Sequence, residues 1–299
     1  MPTSSDRVLE IPSKTFIVGE YLAINGTASM VMATEPSFLV TIIDDKNFGF
    51  HPDSPAGKLK NQLGHNDFGY SFFDPHDGRG GFGRSTAEYL AVCLNDKKMN
   101  KESGDPAESL LDDLEDFVQS YQKQSEGEYK PSGADLVAQL CGGLCWYDGM
   151  NYQAEQLAWP FPGYDIFIFH TGKKLATHEH LKDLKSIDLR SLIPILVAAR
   201  TSIDQMNLKV FCESVNYYYD RLDELGLSDK SVKSSVDKIR KNPEVLAAKG
   251  CGAMGVDTVI VVAESTNKDK ILQVCMDEDF QFISSLQQAH PGATVRSAN

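Results

Sequence analysis

The chain has 299 residues, enough for one large domain or two of ordinary size. Its 29 Lys and Arg against 42 Asp and Glu give a net charge of −13, which argues against non-specific binding to nucleic acid or to an anionic membrane. Hydrophobic residues make up 41%, and no run approaches the roughly 18 apolar residues of a membrane span, so a soluble globular protein is expected.

Residues 1–12 lack the basic start and apolar core of a secretion signal. Cys93, Cys141, Cys145, Cys212, Cys251 and Cys275 are scattered, form no C-x-x-C pair and occupy mostly apolar contexts. They read as reduced, buried thiols of a cytoplasmic protein.

Arg7–Ile11 and Thr15–Val18 read as β segments around Pro12-Ser13-Lys14. Ala28–Thr34 and Ser37–Ile43, apolar and β-branched with Pro36 between them, read as paired strands. Residues 44–83 are rich in Gly, Asp, Asn, His and Pro and read as loops with short strands. Helices are predicted over Arg84–Asn95 and over Ala107–Gln124, where Leu110, Leu111, Leu114, Phe117, Val118 and Tyr121 share one face. Pro131-Ser132-Gly133 opens a further helix, Ala134–Cys141, closed by Gly142-Gly143, and Cys145–Ala158 alternates as a hairpin. Pro160-Phe161-Pro162-Gly163 is the strongest punctuation, and a division into units 1–155 and 156–299 is placed near it. Beyond it come a strand, Tyr164–His170, a loop, Thr171–Thr177, and helical regions at Ser186–Gly226 and Lys230–Lys249. A strand at Thr258–Ala263, a helix at Lys268–Met276 and a strand at Ala293–Arg296 complete the reading. His178-Glu179-His180 reads as a solvated helix start rather than a metal site.

Residues 77–87, DGRGGFGRSTA, set Gly78, Gly80, Gly81 and Gly83 ahead of Ser85-Thr86 and a helix. Glycine permits positive φ and a close approach of backbone to ligand. The helix start leaves N–H groups unpaired and presents the positive end of its dipole, so loop and helix together suit a phosphate. No lysine follows as in a Walker loop, and the spacing is not that of a dinucleotide fingerprint.

Four stretches occur in order: Pro12-Ser13-Lys14 with Gly19-Glu20-Tyr21, then Gly80–Ala87, then Ser132-Gly133-Ala134-Asp135, then Gly250–Gly255. Together they resemble the GHMP kinase superfamily, which phosphorylates small metabolites with ATP. The loop Gly81-Phe82-Gly83-Arg84-Ser85-Thr86 looks like its G-L-G-S-S-A, and Gly252-Ala253-Met254-Gly255-Val256 like its G-A-G-G-G. Gly19-Glu20-Tyr21, Pro160-Phe161-Pro162, Thr171-Gly172-Lys173 with Ala176-Thr177, and Asp257 are similar to the phosphomevalonate kinase branch.

The resemblance implies a two-domain α+β fold. The N-terminal α/β domain would hold the phosphate loop and Asp135, and the C-terminal domain would be ferredoxin-like, a mixed sheet backed by helices. It implies ATP and Mg²⁺ as cofactors, with Gly80, Gly81, Gly83, Arg84, Ser85 and Thr86 around the nucleotide phosphates and Ser85 near the metal. Lys14 and Asp135 would be catalytic and would face each other. Asp135 would be a base toward an alcohol acceptor and an orienting charge toward a phosphate. Glu20, Tyr21, Ser132, Gly133, Lys173, Gly252 and Ala253 would lie on the acceptor side.

The expected function is phosphorylation of a small anionic metabolite, phosphomevalonate first, with mevalonate kinase or another metabolite kinase of the superfamily as alternatives. A non-catalytic ligand-binding protein on the same scaffold is the rival class, and a homodimer is left open. Four residues depart from the pattern: Ser13, Arg84, Met254 and Val256. Arg84 either contributes a phosphate contact or obstructs the loop.

Overall fold

A computed structural model of the chain describes residues 7–96, 106–125, 130–173 and 187–297. Strand β1, Arg7–Val18, runs unbroken through Pro12. Its register against the next strand shifts between Ile11 and Ser13, so proline, which has no N–H to donate, falls where the ladder is interrupted. Strand β2, Ser29–Ile43, likewise continues through Pro36. The two apolar runs expected to pair with each other therefore form one strand, and both pair with β1.

Residues 44–83 hold more structure than their composition suggests. Helix α1, Pro55–Leu63, starts at Ser54, whose Oγ accepts from the Gly57 N–H at 3.1 Å, and stops at left-handed Gly64. Strand β3, Gly69–Phe73, follows. Helix α2, Arg84–Asn95, matches its prediction. The expected helix over Ala107–Gln124 divides into α3, Pro106–Asp112, and α4, Leu114–Gln124, because Asp113 takes φ −112 and ψ 42, outside the helical basin.

Helix α5, Ala134–Cys141, leads into the hairpin β4, Leu144–Asp148, and β5, Gln153–Leu157, and then into β6, Tyr164–His170. The helical region expected up to Gly226 is interrupted into α6, Ile193–Asp204, and α7, Leu208–Glu224. The helix predicted over Lys230–Lys249 ends early: α8 covers Lys230–Ile239, and the apolar run beyond it is strand β7, Val245–Cys251. Strand β8, Thr258–Glu264, helix α9, Lys268–Met276, strand β9, Gln281–Ser285, and strand β10, Thr294–Ser297, complete the described chain. Ala176-Thr177 and His178-Glu179-His180 lie outside the described residues.

The described strands form two sheets. One has the order β10-β1-β2-β4-β5, with β3 also on β2, and the other has the order β7-β8-β6-β9. Among the described residues every strand pairing is antiparallel, so the second sheet is not the mixed sheet expected. The final strand rejoins the first sheet at the outer edge of β1. Among the described residues no helix is long and apolar enough to cross a membrane. All six cysteines are free thiols, five of them buried and Cys141 half-buried.

The two sheets meet across a buried ion pair. Glu20, just beyond β1, accepts from the Lys249 ammonium of β7, and the lysine is 0% exposed. Tyr218 of α7 donates its hydroxyl to the Glu20 carbonyl at 2.8 Å. Burial alone would drive the Lys249 pKa down, but Cys251 and Glu20 beside it outweigh that and hold it above the ordinary lysine value. Removing one partner of such a pair strands an uncompensated charge. Glu20→Gln is expected to lower unfolding free energy by about 3–5 kcal/mol in denaturant titration, and Glu20→Met with Lys249→Met to recover most of it.

Candidate active site

Lys14 lies in the middle of β1, in a stretch, Ile11–Thr15, whose residues are all buried. Its backbone N–H donates to the Phe82 carbonyl at 3.1 Å, which ties the strand to the glycine loop. Its ammonium stands 3.0 Å from Asp135 Oδ2, in the first turn of α5. Lys14 is buried and the Asp135 side chain is 33% exposed. Asp135 Oδ1 is itself buried and accepts no hydrogen bond among the described residues. The structure thus brings Lys14 and Asp135 together and leaves one carboxylate oxygen available as an acceptor.

The loop that ends at Gly83 is fixed by what surrounds it. A Cβ on Gly83 would fall 2.9 Å from Lys14 Cγ and 2.9 Å from Gln139 Nε2, and φ there is +87. A Cβ on Gly81, φ +91, would fall 2.6 Å from Asp257 Cβ. Gln139 of α5 donates to Pro12 O at 2.8 Å and Gly83 O at 3.1 Å, and accepts from the Thr86 hydroxyl at 2.5 Å. The N-cap residues of α2 and α5 are Gly83 and Gly133, which stand in left-handed conformations and supply no side-chain cap. Ser132 Oγ accepts from the Ala134 N–H at 3.2 Å.

Around the loop three side chains are placed differently from one another. Arg84, 52% exposed, is claimed by two carboxylates: Nη1 lies 3.3 Å from Asp74 Oδ2 and Nε 3.0 Å from Glu88 Oε1. Ser85 is exposed and lies near Tyr121 on α4. Burial first, and the nearby Asp135 carboxylate second, push the Tyr121 pKa up, so it is a neutral phenol beside the acid. Arg79, half-buried, lies near His76 and His170 and has no ion pair with a carboxylate among the described residues. Sequence reasoning missed Arg79, Tyr121 and Gln139. Arg79 was signalled by its place two residues before Gly81, whereas Tyr121 read only as part of an apolar face and Gln139 as a helix interior residue.

Ser13 acquires a structural reason. Its hydroxyl donates to Pro36 O at 2.5 Å and lies 2.6 Å from His76 Nε2, so the imidazole proton is on Nε2. His76 stacks on Phe82 of the loop, ring centroids 3.8 Å apart. Burial pushes the His76 pKa down to about 4; Asp74 opposes this, and Arg79 and His170 add to it.

The turn after β7 reaches the same place. Met254 adopts φ 55, left-handed and unusual for a side-chain-bearing residue, and its N–H donates to the Tyr21 hydroxyl at 2.7 Å. Burial pushes the Tyr21 pKa up to about 12. Gly252, φ +84, faces Asp257 Oδ2, and Ala253 follows it in the turn. Thr171 Oγ1 donates to Val256 O, and the Thr171 N–H donates to Asp257 O at 3.2 Å. Lys173 points to the start of α8, donating to Ser231 Oγ and lying 4.0 Å from Asp229. Glu20 is engaged in the interior by Lys249.

Two outcomes follow from this packing. Gly81→Ala meets both a positive φ and the Asp257 Cβ, whereas Gly78→Ala, φ +77 with nothing within 4 Å, meets the first alone. Denaturant titration is expected to show about 1 kcal/mol lost for Gly78→Ala and clearly more for Gly81→Ala. For His76 the folded pKa of about 4 lies below the ordinary 6.5, so between those values the folded state binds fewer protons than the unfolded one. Its contribution to stability is present above pH 6.5 and is lost as pH falls toward 4, a loss of about 3 kcal/mol. In His76→Gln, unfolding free energies measured across that window should lack this slope.

No protein-family model matches the sequence, and no curated protein does. Solved structures do. Mevalonate kinase of Methanococcus jannaschii aligns at TM-score 0.71 and 16% identity over 95% of this chain and 99% of that one. Phosphomevalonate kinase of Streptococcus pneumoniae, in complex with phosphomevalonate and AMPPNP, aligns at 0.70 and 14% over 93% and 98%. Galactokinase of Lactococcus lactis, complexed with galactose, aligns at 0.69 and 16% over 99% and 94%. From first sheet to last strand, the chain has the GHMP kinase fold.

Proposed function

We propose that this protein is an ATP-dependent kinase of a small anionic metabolite, with phosphomevalonate as the first acceptor to consider. The observation that carries the reading is the Lys14–Asp135 pair at 3.0 Å beside an uncapped, glycine-led helix N-terminus. Phosphoryl transfer asks a protein mainly to position reactants and neutralise charge. Gly80–Gly83 and the first N–H groups of α2 would hold the β- and γ-phosphates, with Thr86 fixing the loop through Gln139. Arg79, half-buried without a carboxylate partner, is a better placed counter-charge than Arg84, which Asp74 and Glu88 already hold.

The residues fit a magnesium nucleotide: Mg²⁺ takes few protein ligands, and Ser85 Oγ, exposed at the helix start, would hold it while the ion offsets phosphate charge. Lys14 would spread charge on the transferring group and hold the Asp135 carboxylate in place. The buried, unpartnered Asp135 Oδ1 would receive the proton of an alcohol acceptor or orient a phosphate acceptor. The loop, Lys14 and Asp135 belong to residues 1–155, and the Gly252-Ala253 turn and Lys173 belong to residues 156–299, so the site would lie between the proposed units. One observation favours mevalonate as a second reading. Lys173, the cation expected at an acceptor phosphate, is held by Ser231 and Asp229.

A coupled ADP-release assay with mevalonate, phosphomevalonate, homoserine and a panel of sugars tests both. Turnover is expected with one of the first two, and Asp135→Asn should lower its kcat by about 10²-fold or more without unfolding the protein. Absence of turnover together with absence of ATP binding in calorimetry would leave a binding protein on this scaffold.

A further inference from the structure

Arg84 departs from the pattern that its loop resembles, and its partners are those of neither a phosphate contact nor an obstruction. It is the first residue of α2, and its side chain reaches back across the glycine loop to the end of β3. There the guanidinium lies 5.3 Å from the centroid of the Phe72 ring and pairs with Asp74, the residue just beyond the strand. One turn along α2, Glu88 accepts from its Nε.

Asp74 does more than pair with Arg84. Its Oδ1 accepts from the His76 N–H at 2.8 Å, and its Oδ2 accepts from the Gly78 N–H at 3.0 Å as well as from Arg84 Nη1 at 3.3 Å. One carboxylate therefore shapes the first half of the glycine loop, and the first residue beyond the loop holds that carboxylate. The rest of the loop leans on the same point: the His76 carbonyl accepts from the Arg79 N–H at 3.0 Å, and the His76 ring stacks on Phe82, whose carbonyl receives the Lys14 N–H. An exposed ion pair alone would add little. Here, however, the Asp74 and Glu88 side chains are only 10% and 15% exposed, and a single guanidinium offsets both. Burial pushes the Glu88 pKa up, Arg84 opposes the rise and Asp74 adds to it. Without Arg84, repulsion between the two carboxylates is relieved most simply by Asp74 turning to water, away from the N–H groups of His76 and Gly78.

We propose that Arg84 is a positioning residue: acting through Asp74, it keeps the glycine loop in the shape that receives nucleotide phosphates, and it makes no phosphate contact itself. A loop already held in its binding shape costs less to order when the ligand arrives, so the clamp raises affinity without touching the ligand. The nucleotide part of this inference rests on the kinase reading; the hold on the loop does not.

The test has two arms. In the unliganded protein, amide hydrogen exchange at residues 76–83 is expected to run about tenfold or more faster in Arg84→Ala and in Asp74→Ala, and no faster in the double variant than in either alone. Arg200→Ala, which takes a guanidinium from Glu155 and Asp204 elsewhere, should leave these amides unchanged. In calorimetry with ATP, Arg84→Ala should raise the Kd about tenfold in the wild-type background and about twofold or less in the Asp74→Ala background, whereas a direct phosphate contact would cost the same in both. The proposal is overturned if loop exchange is unchanged in Arg84→Ala, if the two losses of ATP affinity add, or if Arg84→Ala tightens ATP. A wild-type protein that binds no ATP removes the kinase reading, and exchange alone then decides whether Arg84 holds the loop. Each variant's thermal midpoint is read alongside; should Asp74→Ala fail to fold, Asp74→Asn takes its place under the same criteria.

Discussion

The buried contact between Glu20 and Lys249 sets the geometry on which the rest relies. Glu20 follows the strand that carries Lys14, and Lys249 precedes the turn that carries Gly252 and Asp257. Tyr21, next to Glu20, reaches the Met254 N–H in that same turn. One ion pair and one hydrogen bond therefore fix the second sheet's turn against the first sheet's strand. A buried pair of this kind adds little net stability over apolar residues of equal volume; what it supplies is a unique arrangement, because any other leaves a charge unpaired.

Given that arrangement, the glycine loop has little room to move. It is confined on one side by Lys14 and Gln139 and on the other by Asp257, at separations that exclude a side chain at Gly81 or Gly83. His76 stacks on Phe82 from behind, and Ser13 holds His76. The loop is thus positioned by contact with side chains from both halves of the chain, and the left-handed Met254 shows the same crowding in a turn where glycine would be the ordinary choice.

Much of this was legible in the sequence because local chemistry and global position agree there. Strand β6 and helices α2 and α5 have clear periodicity and glycine or proline boundaries, and Lys14 and Asp135 stand in motifs whose order reveals which elements converge. What was not legible depends on distant partners. Pro12 and Pro36 read as breaks, yet the ladder absorbs them, since each strand is supported along its length by neighbours on other parts of the chain. Residues 245–251 continue an apolar pattern that a helix would also satisfy, and only the edge of β8 makes them a strand. Arg84 looked like part of the phosphate loop because its position is right, but Asp74 and Glu88, invisible as partners in one dimension, take its guanidinium.

The return of β10 to β1 has a consequence for how such a chain can be made and divided. The first sheet carries Lys14, whose partner Asp135 stands on α5, yet its outer edge, from Arg7 opposite Ser297 to Glu10 opposite Thr294, is covered by residues synthesised some 285 positions later. During translation that edge stays open after the strands on its other side have paired, a template for intermolecular association. A fragment ending at Pro160-Phe161-Pro162-Gly163 would inherit the same exposed edge. Joining the 294–297 strand to the front of residues 1–155 by a short linker would be the way to make that half whole.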